Sequence, residues 1–448
     1  MGEHDEQYIK MTQTPVKRLI LSLAVPTILS MLITSIYNMV DTYFVSKLGT
    51  SASGAIGIVL SVMAIIQAIG FMIGMGSASH ISIFLGEEEN EKADEFASNA
   101  VIMSFVLGVI LAGICLWYNE KLMVFLGSTD TILPYATEYG RYILLAAPFM
   151  CVSFVLDNLL RAEGKAKLAM IGIASGGVLN VLLDPILIFG MKMGIKGAGI
   201  STAISQTVSC GILMYWFLAG KTTLNLHLKK IAKSPKTYLK ILKNGLPSFA
   251  RQGLASVATV MLNVAAAGYG DAAVAGMSIV GRVFMFLFSI IIGFVQGYNP
   301  VAGYNYGADN MRRVKKAFVF TLTAGTILMT AFAVAVYFYA GNILNWFIGT
   351  DAKAVEIGTV ALQYQCFALP LISITVLCNM TYQAMGKPIS ATFLASCRQG
   401  VFFLPAIYVL PGILGIKGVE MAQPLADVAT AVCCIPFMFH FFKLVKSR

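Results

Sequence analysis

The tetrapeptide GIKG occupies positions 194–197 and returns at positions 415–418 of the 448-residue chain. The two copies are 221 residues apart, and each one leads into a long apolar segment. Recurrence at about half of the chain length indicates an internal duplication. The rest of the sequence can therefore be compared with itself at the same offset.

On both sides of this motif, matching residues recur along most of the chain. At the offset of 221 the pairs are Pro26 with Pro247, Gly49 with Gly270, Gly76 with Gly297, Gly86 with Gly307, and Lys92 with Arg313. At an offset of 222, Pro148 matches Pro370, and Gly164-Lys165 matches Gly386-Lys387. A nearly fixed offset over so long a stretch predicts a duplicated structural unit.

The composition indicates that this unit lies in a membrane. Hydrophobic residues make up 57% of the chain and charged residues 12%, against about 25% charged residues in a soluble domain. Twelve apolar segments each reach the roughly 20 residues that a membrane span needs. They lie at 18–45, 53–83, 96–117, 137–160, 168–190, 197–219, 244–268, 273–304, 314–340, 359–385, 389–411 and 419–442.

The predicted fold is an all-α polytopic membrane protein with twelve transmembrane helices in two six-helix bundles. Because six is even, both copies enter the membrane in the same orientation, and the pseudo-twofold axis lies along the membrane normal. We expect an N-terminal lobe at 1–219, a basic cytoplasmic linker at 220–243 and a C-terminal lobe at 244–448. Two similar bundles around a central cleft are typical of a solute carrier.

The positive charge predicts the orientation of the chain. The formal net charge is +10, and most of the 32 Lys and Arg residues fall in loops on the side of the two termini. By the positive-inside rule, both termini are cytoplasmic and the protein is a multi-pass protein of the inner (plasma) membrane. The basic balance is then a topology signal, so we expect no nucleic-acid partner.

Cysteine and histidine offer no metal or redox motif. The eight Cys residues lie in or beside apolar segments without C-x-x-C spacing, and the four His residues are scattered. They predict neither a disulfide framework nor a zinc site. We expect no cofactor and no enzymatic reaction, since no hydrolase motif is present and Gly220-Lys221-Thr222 lacks the first glycine of a phosphate-binding loop.

Two acidic residues inside predicted spans are candidate functional groups. Asp41 lies late in the first span and Asp184 in the fifth. An ionisable residue in hydrocarbon costs at least about 2.5–3.5 kcal/mol, so its presence favours a functional role. Tyr37 precedes Asp41 by four residues and Asn180 precedes Asp184 by four, so each pair shares one helix face. The alternative is that both carboxylates lie at the external interface and are solvated.

The sixth span adds a polar face with the same spacing, in Thr202 and Gln206. If these faces converge, the N-terminal half holds a polar pocket with two carboxylates. Desolvation and mutual repulsion disfavour ionisation of both. Such a pocket takes a proton, Na⁺ or an organic cation in competition, which is the chemical basis of an antiporter. A metal is expected in this pocket only as Na⁺.

The C-terminal half differs in its charged residues. Its spans carry Arg251, Arg282 and Arg398, and their carboxylates are Glu420 and Asp427 in the twelfth span. The three Arg side chains are expected to pair with polar neighbours or to extend toward the interface. Coupling to an ion is therefore assigned to the first half.

These residues resemble the multidrug and toxic compound extrusion (MATE) family over nearly the whole chain. The resemblance rests on four stretches, with the eighth span as the most specific of them. They are Pro26 to Asp41, RAEGK at 161–165, Asn180 to Pro185, and QGYNPVAGYNYG at 296–307. The chain looks most like the bacterial branch whose acidic coupling site lies in the N-terminal lobe.

The resemblance implies a secondary active antiporter that exports diverse organic cations and drugs by alternating access of two lobes. It places the coupling site at Asp41, Asn180, Asp184 and Thr202, with either H⁺ or Na⁺ as the coupling ion. The chain is expected to act as a monomer in contact with lipid. The side chains expected to line the drug pocket are Tyr37, Asn158, Met170, Gln206 and Gln296. Asp157 and Arg161 form either a gating ion pair or a local one.

Three other functions remain open from the sequence. A lipid-linked oligosaccharide flippase of the same superfamily would use the Arg residues of the second half to bind pyrophosphate. An intramembrane aspartyl enzyme would use Asp41 and Asp184, but neither lies in the G-x-G-D context that such enzymes require. A channel would conduct downhill without a coupled ion, which the difference between the two halves argues against.

Overall fold

The computed structural model describes residues 3–227, 235–349 and 351–447, and all regular structure in these ranges is helical. Part of the predicted linker, residues 228–234, lies outside the described residues, and so do its Lys229, Lys230 and Lys233. The C-terminal Arg448 lies outside them as well. The first helix, α1 (Glu3–Gln13), precedes the first predicted span.

The first six-span lobe contains seven helices. They are α2 (Val16–Ser46), α3 (Thr50–Gly86), α4 (Asn90–Trp117), the short α5 (Asn119–Phe125), α6 (Leu133–Ala162), α7 (Ala166–Pro185) and α8 (Ile195–Leu218). A π-helical turn at Ile186–Gly190 continues α7 beyond Pro185. This wider turn follows the predicted break, because proline cannot donate the regular helical hydrogen bond.

The second lobe contains the remaining seven helices. They are α9 (Pro235–Ala267), α10 (Asp271–Gly307), α11 (Met311–Ile348), α12 (Ala352–Ala384), α13 (Pro388–Ser396), α14 (Leu404–Leu414) and α15 (Ile416–Ser447). A π-helical stretch at Cys397–Phe403 joins α13 to α14, so these three pieces form one span.

The twelve-helix fold is confirmed. Within the described residues, ten helical segments are long and apolar enough to cross a membrane, and the more polar α8 and α9 complete the twelve. The predicted spans agree with the helices to within several residues, apart from the longer start of α9 and end of α11. The sequence analysis did not predict α1 or α5, which are too short to span.

The two lobes touch along one end of the bundle, which we call the terminal face because it carries α1 and the ends of α6, α10 and α15. Glycines make this contact close. A Cβ atom on Gly297 would lie 2.6 Å from the Ala24 Cα of the other lobe, and one on Gly293 would lie 2.8 Å from the Ile28 Cα. A Cβ on Gly245 would overlap the Met72 carbonyl oxygen. Backbone therefore packs directly on backbone here.

The lobe contacts come in pairs that obey the sequence repeat. Gly86 packs on the Tyr304 carbonyl, and Gly307 packs on the Ile83 carbonyl. Gly307 is the repeat equivalent of Gly86, and Tyr304 is the repeat equivalent of Ile83, each 221 positions later. The two contacts are therefore copies of each other. Gly76 against Gly245 and Gly297 against Ala24 form a second such set. Thus α3 meets α10 directly, and the contact of α3 with α9 is repeated by that of α10 with α2, so the four helices are related by a local pseudo-twofold axis.

Away from the terminal face, the same helix faces are exposed. On α2, Met39 lies three turns beyond Ile28 on the same side and is 54% exposed. On α10, Phe286 lies two turns before Gly293 and is 44% exposed. The lobes therefore separate on the side opposite the terminal face and leave a cleft between them.

The helix α1 fastens the two lobes together at the terminal face. Gln7 donates to the backbone carbonyl of Glu163 in the first lobe. In the second lobe, Asn305 donates to the Met11 carbonyl at 3.1 Å, and Arg313 donates to the Thr14 carbonyl at 2.7 Å. The segment before the first span thus contacts both lobes.

Glu163 is a buried carboxyl in the loop after α6. One of its carboxyl oxygens accepts hydrogen bonds from the Thr223 backbone N–H at 2.7 Å, the Thr223 hydroxyl at 2.5 Å and the Leu224 N–H at 3.3 Å. The other oxygen has no partner among the described residues. Burial raises the pKa of the Glu163 carboxyl to about 7, although Lys165 and the Thr223 donors act in the opposite direction.

The Glu163→Gln variant is expected to lose a pH-dependent part of the stability. An acid whose pKa rises from 4.5 to about 7 on folding stabilises the fold fully below pH 4.5. That contribution is lost as the pH rises toward 7, by about 3 kcal/mol in total. Thermal unfolding in detergent between pH 4.5 and 8 should therefore depend less steeply on pH in Glu163→Gln. The exposed Glu6→Gln is the matched control, and equal slopes for Glu163→Gln and the wild type would refute the assignment.

Candidate functional site

Asp41 and Asp184 lie together inside the first lobe. Asp41 projects from α2 and is 8% exposed, and Asp184 projects from the end of α7 and is fully buried. The two carboxyl groups are within hydrogen-bonding reach of each other. The Tyr139 hydroxyl on α6 donates to Asp41 Oδ2 at 3.3 Å. The acidic pair is therefore buried in the protein, and the alternative of solvated interfacial carboxylates does not describe it.

A polar shell from α7 and α8 surrounds Asp184. The Asn180 amide, one turn earlier on α7, lies 3.3 Å from Asp184 Oδ1. The same amide nitrogen lies 3.1 Å from the Ser201 hydroxyl and 3.4 Å from the Thr202 hydroxyl. The structure thus brings Asp41, Asn180, Asp184 and Thr202 to one place. The i,i+4 spacing on α7 explains why Asn180 lies beside Asp184, because the two side chains share one helix face.

Several oxygen atoms of this pocket have no hydrogen-bond partner among the residues that the structure describes. They are Asp41 Oδ1, Asn180 Oδ1, Asp184 Oδ2 and the Ser205 hydroxyl oxygen. A buried polar atom without a partner is costly, typically about 1–3 kcal/mol. A proton shared by the two carboxyls would partner the carboxylate oxygens, and Na⁺ would bind to the same oxygens, since hard cations prefer oxygen ligands. The donor set fits either ion.

Tyr37 and Gln206 lie beside the acidic pair, as the sequence predicts. The Gln206 side-chain amide donates to the Tyr37 hydroxyl at 3.3 Å and so links α8 to α2. The Tyr37 ring packs where Gly177 has no side chain, because a Cβ at that position would lie 2.9 Å from the ring. The small residue on α7 thus makes room for the aromatic side chain on α2.

Asn158 and Gln296 lie elsewhere, at the contact between the lobes. Both line a small cavity of about 20 Å³ between α6 and α10. Arg161 connects the lobes there, since it donates to the Gln296 side-chain oxygen at 2.8 Å. Its other nitrogen atoms lie 3.1 and 2.9 Å from Asp157 Oδ1. The Asp157–Arg161 ion pair is therefore local, but its Arg also bridges to the second lobe.

Met170 is separated from the acidic pair along α7. It lies ten residues before Asn180, which is about 15 Å along a helix, and its side chain is half-buried. The sequence analysis placed Met170 in the drug pocket because it lies on the same span as Asn180 and Asp184. The structure places Met170 near the start of α7, at the end of the span that lies at the terminal face.

The sequence analysis missed Tyr139 and Ser201. Tyr139 is 1% exposed and Ser201 is fully buried. Ser201 directly precedes Thr202, so the polar run on the sixth span could have indicated it. Tyr139 is one of three Tyr residues at 135–142. Nothing in the sequence distinguishes it from the other two, since only the rotation of α6 directs it at Asp41.

In the second lobe, two of the three predicted Arg residues have polar partners inside the lobe. Arg251 donates to the Asn379 side-chain oxygen at 3.2 Å. Arg398 pairs with Asp427, with 2.7 Å between Nε and Oδ1. The guanidinium carbon of Arg398 also lies 4.9 Å from the ring centres of both Phe284 and Phe288. Arg282 is exposed and makes no hydrogen bond or ion pair with any residue that the structure describes.

The Asp427 site is the repeat counterpart of part of the first-lobe pocket. Gln423 and Asp427 stand 221 positions after Thr202 and Gln206. The Gln423 amide donates to Asp427 Oδ1 at 2.9 Å, and the Gln365 amide donates to Oδ2 at 2.8 Å. The Asp427 carboxylate is thus neutralised by Arg398. The two carboxyls of the first lobe have no such basic partner among the residues in view.

The sequence matches the MatE family over residues 26–186 and 247–409, one stretch in each lobe. Among curated relatives, the multidrug export protein MepA of Staphylococcus haemolyticus is 29% identical over 441 residues. The match covers 98% of this chain and 96% of that protein. MepA of Staphylococcus saprophyticus is 28% identical over 438 residues, with 97% and 96% covered.

Solved structures give the same picture of the fold. A MATE protein in complex with MaL6 superposes with a TM-score of 0.93 at 24% identity and full coverage of both chains. An outward-facing multidrug resistance MATE family transporter of the MOP superfamily superposes with a TM-score of 0.92 at 25% identity. This second match covers 98% of the chain and 99% of its neighbour.

Proposed function

The chain belongs to the MatE family, and from that premise we propose that it exports structurally varied organic cations across the plasma membrane in exchange for H⁺ or Na⁺. In this proposal both termini are cytoplasmic, the protein acts as a monomer, and transport alternates between two arrangements of the lobes. The names of the MepA relatives, which describe multidrug export, support drugs as the substrate class.

The observation that carries the proposal is the acidic pair of the first lobe, which has no basic partner among the described residues. Asp41 and Asp184 are buried next to each other, and each has one oxygen atom without a partner in the described part of the chain. Two adjacent carboxylates in a site of low dielectric repel each other strongly unless a positive charge lies between them. A proton, Na⁺ or a cationic drug can supply that charge. Because the three compete for one site, entry of the ion favours release of the drug.

The arrangement of the lobes supports an outward-open resting form. The lobes are packed together at the terminal face, which is the cytoplasmic side if the termini are cytoplasmic. The cleft then opens to the exterior. Asp41, at 8% exposure, is the more accessible member of the acidic pair. In this form the coupling ion would enter from outside. Return of the pocket to the cytoplasm requires separation of the glycine contacts at the terminal face.

A lipid-linked oligosaccharide flippase is the second candidate, and the second lobe disfavours it. Such a protein would need several basic side chains free to bind pyrophosphate. Arg251 is hydrogen-bonded to Asn379, and Arg398 is paired with Asp427. Of the three Arg residues within the second-lobe spans, Arg282 alone is exposed and without a partner among the described residues.

Uphill export of ethidium by proteoliposomes tests the proposed function. We expect export against the dye gradient when either a pH gradient or a Na⁺ gradient is imposed alone, and the gradient that works identifies the ion. Protein-free liposomes measure leakage. Dissipating the gradient with an ionophore should stop export at once. Dye flux that runs only down the dye gradient and is the same with and without an ion gradient would indicate a channel. No uphill export under either gradient would overturn the cation-antiport proposal.

A further inference from the structure

A cavity of about 330 Å³, which we call the terminal cavity, lies at the terminal face and has no role in the export mechanism. Residues of α1 form one wall of this cavity. The end of α3, the loop between α3 and α4, Thr223 and Tyr304 of α10 form the others. None of the lining residues belongs to the acidic pocket of the first lobe. The volume lies within the range of small-molecule sites, which is about 300–1,000 Å³.

The mouth of the terminal cavity is acidic. Asp5 on α1 and Glu88 in the α3–α4 loop both line it and are exposed, and no Lys or Arg lines it among the described residues. Glu88 belongs to the acidic run EEE at 87–89, whose repeat equivalent in the second lobe reads ADN at 308–310. The fold therefore does not require this run of charges. Because neighbouring carboxylates attract positive charge, the mouth favours a cationic group over a neutral or anionic one.

The base of the terminal cavity holds a polar group without a partner. Tyr304 lines the cavity and is 2% exposed, and its hydroxyl makes no hydrogen bond with any residue that the structure describes. Buried hydroxyl groups normally have a hydrogen-bond partner. Leu85 is buried and Ile9 is half-buried, and both add apolar surface to the walls. The cavity is thus charged at its mouth, partly apolar along its walls and able to form a hydrogen bond at its base.

We propose that the terminal cavity binds small organic amines whose opposite end carries a hydrogen-bonding group such as a phenol. The ammonium group lies at the mouth, where Asp5 and Glu88 can accept charge-assisted hydrogen bonds from it. The apolar body packs against Leu85 and Ile9, and the phenol reaches the Tyr304 hydroxyl. This site is separate from the acidic pocket of the first lobe, so its occupancy does not depend on the proposed export function.

Binding in the terminal cavity is coupled to the arrangement of the lobes, because both lobes form its walls. Leu85 belongs to the first lobe and Tyr304 to the second, and Gly86 packs directly on the Tyr304 carbonyl. Separation of the lobes at the terminal face would therefore take the cavity apart. A ligand that binds only one of two arrangements shifts the population toward that arrangement. A bound amine thus holds the terminal face packed and, in the proposed transport cycle, slows export.

Three related probes test the two ends of the site. Tyramine carries an amine and a phenol, phenethylamine lacks the hydroxyl group, and 4-hydroxyphenethyl alcohol lacks the amine. Their affinities would be measured by calorimetry in phosphatidylcholine nanodiscs, in the Asp41→Asn protein, so that the acidic pocket contributes less to binding. Glu88→Gln should weaken both amines about tenfold, the effect of losing a charge-assisted hydrogen bond, and leave the alcohol unchanged. Tyr304→Phe should weaken tyramine and the alcohol about fivefold and leave phenethylamine unchanged.

Glu87→Gln is the matched control, because Glu87 is exposed in the same acidic run and does not line the cavity. It should leave all three affinities unchanged. Asp5→Asn, on the other wall, should repeat the effect of Glu88→Gln. Equal binding of tyramine and the alcohol, or unchanged binding of both amines in Glu88→Gln and Asp5→Asn, would overturn the inference.

Spin labels at Lys47 and Asp271, at the cleft ends of α2 and α10, report the coupling to the lobes. In a background without native cysteines, tyramine should increase the population with widely separated labels, and the alcohol should not. The increase should need about tenfold more tyramine in Glu88→Gln. No shift at saturating tyramine would overturn the coupling between this site and the lobes. None of these measurements follows export, so their outcome is independent of the tests of ion antiport.

Discussion

Replacement of either Asp41 or Asp184 by Asn is expected to reduce gradient-driven export to the rate of protein-free liposomes. Asn has nearly the same volume and still accepts a hydrogen bond, so the Tyr139 contact to position 41 at 3.3 Å and the Asn180 contact to position 184 can persist. What disappears is the charge for which the ion and the drug compete. Without that competition, an ion gradient can no longer drive drug release.

Uphill ethidium export in proteoliposomes is the measurement for these variants. Asp130→Asn, at an exposed loop position before α6, is the matched control and should transport like the wild type. Downhill equilibration of dye should survive in the Asp41 and Asp184 variants if the protein still alternates. Undiminished uphill export by both single variants would refute a coupling site in the first lobe.

Gly245→Val is expected to disfavour the arrangement in which the lobes are packed at the terminal face. The new Cβ would overlap the Met72 carbonyl oxygen, which is backbone and cannot move aside as a side chain can. Overpacking of this kind typically costs about 1–3 kcal/mol. The cost falls on only one of the two arrangements, so 3 kcal/mol would shift their ratio by about 150-fold. The population should move toward a state that is open at the terminal face.

Distances between spin labels can detect this shift in a background without native cysteines. Labels at Glu88 and Asp309, which are repeat equivalents at the terminal face, should move apart in Gly245→Val. Labels at Lys47 and Asp271, at the cleft ends of α2 and α10, should approach. Gly253→Val on the same helix is the control, since a Cβ there meets no atom within 4 Å.

A milder variant covers the case in which Gly245→Val does not fold. Gly297→Ala places a Cβ 2.6 Å from the Ala24 Cα, at the repeat equivalent of the contact between Gly76 and Gly245, and should shift the distances in the same direction. Unchanged distance distributions in both variants would show that these contacts do not control the equilibrium between the two arrangements.

The fold was largely predictable because membrane spans follow from length and hydropathy. Lipid requires each span to satisfy its own backbone hydrogen bonds, so apolar segments become helices, with most ends within several residues of the predicted ones. The chain before the first span was not predicted as a helix, because α1 is short and polar. Its position depends on partners that are distant in sequence, such as Asn305 and Arg313.

The site was predictable only where charge revealed it. Asp41 and Asp184 stood out because carboxyls are rare in spans, and Asn180 followed from its i,i+4 spacing. Tyr139 did not stand out, and Asn158 and Gln296, which were expected to line the drug pocket, lie at the lobe contact. In a soluble helix the apolar stripe marks the inner face. In a membrane helix the lipid face is apolar too, so the sequence does not indicate which way a Tyr or Asn points.

The paired glycine contacts resemble the interface of a symmetric dimer and so bear on the origin of the molecule. When two identical chains pack around a twofold axis, a contact of residue i with residue j is repeated as a contact of residue j with residue i. The paired glycine contacts have this form. Gly86 against Tyr304 and Gly307 against Ile83 would be a single contact, made twice, in a dimer of one six-span ancestor. The interface at the terminal face is thus compatible with an assembly older than the gene fusion. The charges that now distinguish the two lobes would then have arisen after the fusion, once each half could mutate independently.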